Sequence, residues 1–131
     1  MGPRVRALLD THVLLWWLES PGRLSPAARR AMEDQANTIL VSAASAWEIA
    51  IKSRAGKLEA GPLVDDFSRE LEEEGFAELA ISAAHAIRAG LLRGPLRDPF
   101  DRMLIAQAQS ENLSIISKDK WFDDYAVTRI W

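Results

Sequence analysis

The chain has no cysteine, which excludes disulfide cross-links and thiolate metal sites. It also lacks a signal-peptide pattern and any apolar run long enough to span a bilayer, so a cytoplasmic protein with no membrane partner is expected. Repeats and low-complexity tracts are missing, no glycine-rich loop is spaced to cradle a phosphate, and no Ser-His-Asp ordering is present. The two histidines do not fill that gap. His12 falls in the first turn of an apolar helix and His85 in a helix remote in sequence from every acid discussed below, so both read as structural hydrogen-bonding residues. An excess of positive charge is lacking as well. The formal net charge of -3 argues against a protein whose whole surface grips nucleic acid. Arginine nevertheless outnumbers lysine, and the guanidinium fork suits phosphate, so local basic patches remain open.

What is present is enough for one compact domain: 131 residues, 48% of them hydrophobic, read as a single unit over 1–131. Short β-branched or leucine-rich runs alternate with helical patterns, which predicts an α/β fold built from βαβ units on a parallel sheet. Five strands are expected, near 4–9, 38–42, 77–81, 113–117 and 127–130. A helix over 11–19 is apolar nearly all round, Pro21-Gly22 breaks it, and Ser25-Pro26 supplies the cap and first residue of the next. A helix over 43–55 puts Ala44, Trp47, Glu48 and Ile51 on neighbouring positions of one face and stops at Gly56. Leu63, Phe67 and Leu71 repeat every four residues in one further helix ending at Gly75, and another covers 83–92. Asp98-Pro99 opens the strongest helix, which runs to Glu111 with Asn112 as a left-handed cap.

Four acids stand at informative places on this framework. Asp10 closes the run Val5-Arg6-Ala7-Leu8-Leu9 and Asp119 closes Leu113 to Lys118, so both lie just past the carboxyl ends of predicted strands. In open α/β sheets ligands bind at that edge. Each acid also has an ordinary reading. Asp10 caps a helix, Glu48 pairs with Lys52 one turn on, Asp98 and Asp101 occupy the N-cap and N3 positions of their helix, and Asp119 sits in a turn. Two features go beyond that. Glu48 lies on a largely apolar face, where an unpaired carboxylate is costly, and Asp101 continues along Leu104, Ile105 and Ala108, the side that should face the sheet.

Other residues are set aside. Trp16, Trp17 and Trp47 fall in apolar helices and read as core, the run Glu70 to Glu74 as a solvated helix side, and Asp123 and Asp124 as solvated helix residues. Arg97, Arg102, Lys118 and Lys120 flank the acids and are the candidates for phosphate contact, because phosphate neutralisation dominates nucleic-acid affinity.

Taken together, Leu8-Leu9-Asp10-Thr11-His12, Ser45-Ala46-Trp47-Glu48-Ile49, Asp98-Pro99-Phe100-Asp101-Arg102, Leu104-Ile105-Ala106-Gln107-Ala108 and Ser117-Lys118-Asp119 closely resemble PIN-domain ribonucleases, specifically the VapC-type toxins of bacterial toxin–antitoxin pairs. The resemblance covers essentially the whole chain. It implies a PIN-like three-layer sandwich with a five-stranded parallel sheet flanked by helices. It further implies a catalytic quartet of Asp10, Glu48, Asp101 and Asp119, with Asp98 as an accessory acid and Thr11 and Ser117 as supporting hydroxyls; Ser117 stands where the family usually has threonine. The implied cofactor is Mg²⁺ or Mn²⁺, the reaction endonucleolytic hydrolysis of RNA, and the partners a VapB-type antitoxin and a second copy of the chain. Two rival readings are a receiver-like magnesium-binding signalling module and a catalytically inactive PIN-fold binding protein. The first wants a phosphoacceptor aspartate after the third strand, where this chain has Ile81-Ser82.

Overall fold

The structure, a computed structural model, describes residues 4–131. Its five strands, β1 (Arg6–Leu9), β2 (Thr38–Ser42), β3 (Ala77–Leu79), β4 (Ser114–Ile116) and β5 (Arg129–Ile130), fall on the expected runs. They form one all-parallel sheet in the order β3-β2-β1-β4-β5. The chain therefore leaves β1 toward one edge of the sheet through β2 and β3, then returns to the other side of β1 to add β4 and β5. A crevice opens at such a reversal, beyond the carboxyl ends of the two strands between which the order switches. Here those strands are β1 and β4.

Helices α1 (Thr11–Glu19), α2 (Pro26–Glu33), α3 (Ala43–Arg54), α4 (Gly61–Asp65), α5 (Phe67–Glu73), α6 (Ala83–Leu91) and α7 (Pro99–Glu111) make the connections. Strand alternation sorts the core into two layers. Ala7 and Leu9 of β1, Ile39 and Val41 of β2 and Ile116 of β4 pack beneath α1 to α5, whereas Leu8 and Ile115 point the other way, onto Leu104, Ile105 and Ala108 of α7. Each leucine, isoleucine or valine among them contributes roughly 1.5–3 kcal/mol on burial. α7 stops as expected, with Asn112 left-handed at φ 55° and ψ 54°. Among the described residues no helix is long and apolar enough to cross a membrane.

Two expectations give way. The single helix through Leu63, Phe67 and Leu71 is broken at Asp66, whose backbone is non-helical and whose carboxylate caps the amide of Arg69 at 3.1 Å. The break lets Leu63 and Leu71 both reach the core. On α3 the buried residues are Ala44, Ser45, Glu48 and Ile49, while Trp47 and Ile51 are 61% and 46% exposed. The hydroxyls of Thr11 and Ser45, 2.8 Å apart in the interior, and the packing of Ile49 set that rotation of the helix.

Candidate active site

The register of β1 with β4 builds the centre of the site. Leu9 pairs with Ile116, and the Asp10 amide donates to the Ile116 carbonyl at 3.0 Å, so Asp10 and Ser117 leave the sheet side by side. Asp10 caps α1 by accepting from the His12 amide at 2.9 Å with Oδ1, which confirms its ordinary reading. Its other oxygen accepts the Ser117 hydroxyl at 2.7 Å, and Ser117 Oγ in turn accepts the Asp119 amide at 3.0 Å. One buried hydroxyl thus ties together two acids more than a hundred residues apart in the chain. Burial works against the charge on Asp10, yet the hydrogen bonds from His12 and Ser117 prevail and hold its carboxyl below the usual carboxylate range.

The remaining acids arrive on helices. β2 runs directly into α3, which carries Glu48 to the cleft, buried, with Lys52 Nζ 2.9 Å from Oε2. Asp98 caps α7 by accepting from the amides of Phe100 and Asp101 at 2.9 and 3.0 Å. Asp101 then stands at N3, on the side of α7 that meets the sheet. Asp10, Glu48, Asp98, Asp101 and Asp119 all line a single cleft of about 660 Å³ at the switch point. Burial, followed by the charges of Asp10, Asp98, Glu48 and Asp119, pushes the Asp101 carboxyl up to about 7. Asp119 rises to about 6, through burial and the charge of Asp10. The acids therefore feel one another.

The RNA-contact candidates separate. Lys118 and Lys120 are exposed and line the acid cleft, whereas Arg97 is exposed but lies outside its lining. Arg102 is engaged elsewhere: its guanidinium donates to the carbonyls of Leu96 at 2.8 Å, Ala89 at 3.2 Å and Leu92, closing the end of α6 and the loop that leads to Asp98. That is a positioning role, since backbone carbonyls at a helix end need donors. Thr11 likewise directs its hydroxyl to Ser45 rather than to an acid, tying α1 to α3.

Several cleft residues differ from their sequence reading. The His12 ring is half-exposed, lines the cleft, and stands 3.6 Å from Asp10 Oδ1, and that carboxylate raises the imidazole pKa. Its place two residues past a strand-ending acid was the available signal. Trp16 and Trp17 are partly buried against the core, with Trp16 also facing the cleft, while Trp47 lies outside, edge-on to Phe100 at 5.1 Å. Arg23 and Trp121 line the cleft too, and only the sequence Lys118-Asp119-Lys120-Trp121 hinted at the second. His85 is structural as expected: it is buried, it completes a capping box with Ser82, and its Nε2 is 2.9 Å from Glu111.

The donor set bears on which cation could sit here. Carboxylates that raise one another's pKa carry surplus negative charge, which a hard divalent ion relieves, and oxygen-only donors suit Mg²⁺ or Mn²⁺. Among the described residues no three acidic or histidine side chains are drawn close enough to enclose an ion by themselves.

Comparison with known proteins agrees with the fold and places the chain in a family. The PIN domain family model matches residues 7–127. Ribonuclease VapC22 of Mycobacterium tuberculosis is 32% identical over 114 residues, covering 86% of each chain. VapBC2 from Rickettsia felis, solved bound to a DNA fragment from its promoter, superposes with a TM-score of 0.71 at 16% identity over 95% of this chain and 97% of that one. DNA-bound VapBC from Salmonella typhimurium gives 0.69 at 15% identity, covering 95% and 96%. By the family match over most of its length and by its curated relative, this chain is a member of the PIN domain family.

Proposed function

We propose that this protein is a metal-dependent endoribonuclease of the VapC kind, the toxin of a type II toxin–antitoxin pair. The observation that carries the reading is the gathering of Asp10, Glu48, Asp98, Asp101 and Asp119 around one cleft at the sheet's switch point, with the Asp101 carboxyl pushed up to about 7 by burial and then by its neighbours' charge. Family membership and the likeness to a ribonuclease support it.

Asp10 and Asp101 are the core ligands of Mg²⁺ or Mn²⁺ in this proposal, Glu48 and Asp119 complete the set or orient the attacking water, and Asp98 is accessory. Such an ion, when bound, supplies positive field at the phosphate and acidifies water. The chain's own contribution is positional. Ser117 and the His12 amide fix both oxygens of Asp10, so this carboxylate stays charged and pointed. Lys118 and Lys120 hold the RNA backbone at the rim. Water adds to phosphorus in line, giving up a proton, and the bond from phosphorus to one ribose oxygen breaks as that oxygen takes a proton up to leave as a hydroxyl.

A VapB-type antitoxin, a homodimer and a cytoplasmic location belong to the same proposal. The VapBC complexes among the structural neighbours support the first. The exposed apolar side chains of Trp47, Ile87 and Leu91 support protein contacts. The deciding experiment is cleavage of total RNA by the purified chain with Mg²⁺ or Mn²⁺, with chelator, and with Asp101→Asn. Absence of metal-stimulated cutting, or equal cutting by the variant, sinks the reading. Mapping the new 5′ ends would identify the target.

A further inference from the structure

Trp121 is left unused by the reading above. It sits two residues past Asp119 on the short 3-10 turn Lys120–Asp124, lines the acid cleft, and is 44% exposed. The turn beneath it is firmly seated, because the next residue, Phe122, is fully buried against the layer containing Leu8 and Ile115. A large indole is thus held at the cleft rim on a rigid base. Lys118 and Lys120, both exposed and both lining the same cleft, bracket Asp119 immediately before it.

The other tryptophan of the cleft is differently occupied. Trp16 has the Arg23 guanidinium 4.6 Å over its ring and Trp131 6.0 Å away. Among the described residues no cation lies over Trp121, and its one aromatic neighbour is Phe122, tilted at 6.3 Å. Its surroundings also differ from those of a protein-docking tryptophan. Trp47, for contrast, stands in an apolar hollow with Ala44, Ile81 and Phe100. An indole among lysines and carboxylates matches a ligand that alternates flat rings with negative charge.

We propose that Trp121 is a specificity-determining residue that stacks on the base of an unpaired nucleotide beside the scissile phosphate. The proposal rests on the ribonuclease reading and adds to it the side chain that takes up that base. A base within a duplex is already stacked on both faces and cannot offer one to a side chain, whereas an unpaired base can be splayed onto an aromatic ring. The flanking lysines neutralise the phosphates on either side of the stacked nucleotide.

The test measures binding of the full chain to a fluorescent mixed-sequence RNA strand, and to the same strand annealed to its complement, in an Asp101→Asn background that keeps the RNA whole. Trp121→Ala should weaken single-strand binding roughly five- to a hundred-fold, the range of one base–aromatic stack. Trp121→Phe should restore most of it, and duplex binding should be unmoved. The slope of affinity against salt should stay as it was, because a stacking contact releases no counterion, whereas Lys118→Ala or Lys120→Ala should flatten it. Unchanged single-strand affinity in Trp121→Ala, as an indole serving only a protein partner would give, overturns the proposal, and so does equal weakening on both RNAs. If the background protein binds neither RNA and the wild type leaves total RNA uncut with Mg²⁺ or Mn²⁺, the ribonuclease reading itself fails and this inference with it.

Discussion

Two buried polar constellations in this molecule behave in opposite ways. Between α6 and α7, His85 accepts from the Ser82 amide at 3.1 Å, meets Gln107 Nε2 at 3.3 Å and pairs with Glu111 at 2.9 Å, while Gln107 also donates to the Ala80 carbonyl at 3.2 Å. Apart from the Gln107 carbonyl oxygen, which lacks a partner among the described residues, that network closes on itself. In the cleft beyond β1 and β4 the acids are brought together, and burial followed by the neighbouring negative charges pushes the carboxyls of Asp101 and Asp119 upward. A satisfied buried network fixes structure, whereas acids whose carboxyls are raised together in a cleft mark a candidate functional site. Each prediction below tests one side of that contrast.

The largest effect should come from Asp101→Asn. It preserves shape and the capping of α7 by Asp98, yet removes a negative charge that the proposed metal ion would need. Metal-dependent cleavage should fall by at least about a hundredfold, the scale on which loss of one transition-state contact is felt. The melting temperature without metal should hold or rise at neutral pH, because a repelled, partly buried charge is gone. A variant that unfolds and still cuts RNA after refolding would make Asp101 a structural cap and erase the distinction between the two regions.

His85→Ala should do the reverse. It leaves the Glu111 and Gln107 partners short of hydrogen bonds and opens a void between two helices, at a cost of about 1–3 kcal/mol. Cleavage per folded molecule should stay near wild type, since His85 lies outside the lining of the acid cleft. Chemical denaturation paired with activity normalised to folded fraction checks both halves.

The third effect is pH dependence without metal. The folded-state pKa of Asp101 is about 7 and of Asp119 about 6, both above the ordinary 3.8. Between those values the folded chain binds more protons than the unfolded one, so stability should fall as pH rises from 4 to 7. His12, raised above its ordinary 6.5, adds in the same direction at the upper end of that window. Asp10, lowered, acts in the opposite sense below pH 4, where its protonation removes stability. After allowance for solvent screening and for the favourable N-terminal dipole of α7, the decline should be about 1–2 kcal/mol. Asp101→Asn should flatten most of it; a decline of undiminished size in that variant would assign the charge conflict to other groups.

These contrasts also explain what could be read from the chain alone. The strands, Asp10 and Asp119 were legible because a short apolar run ending in an acid is a local pattern, and Pro99 and Asn112 mark the ends of α7 by backbone preference alone. Asp66, Trp47, His12 and Arg102 were not, because their roles depend on where another segment passes. The same four-residue spacing serves one helix or two broken at a capping aspartate. Arg102 follows the candidate acid Asp101 and looks available to phosphate, yet the path of the α6–α7 loop puts three carbonyls within its reach. Trp47 is apolar, but the hydroxyl pair of Thr11 and Ser45 turns another face of α3 inward.

The smallest stability effect should come from Lys52, where the two kinds of region meet. Its ammonium is 2.9 Å from Glu48 Oε2, a local pairing inside the conflicted cleft, and its side chain is 38% exposed. An ion pair with one partner that open to water contributes about 0–1 kcal/mol, so Lys52→Met should leave the melting temperature nearly unchanged. Its effect on metal should be plainer. Lys52 occupies a carboxylate oxygen that a divalent ion would otherwise take, and its positive charge opposes a second cation nearby. The variant should therefore need less Mn²⁺ for the same thermal stabilisation, each tenfold gain in affinity appearing as about 1.4 kcal/mol at saturating metal. If metal instead stabilises Lys52→Met less than wild type, the Glu48–Lys52 pair is a preorganised part of the site, and Glu48 belongs with the satisfied network rather than with the acids in conflict.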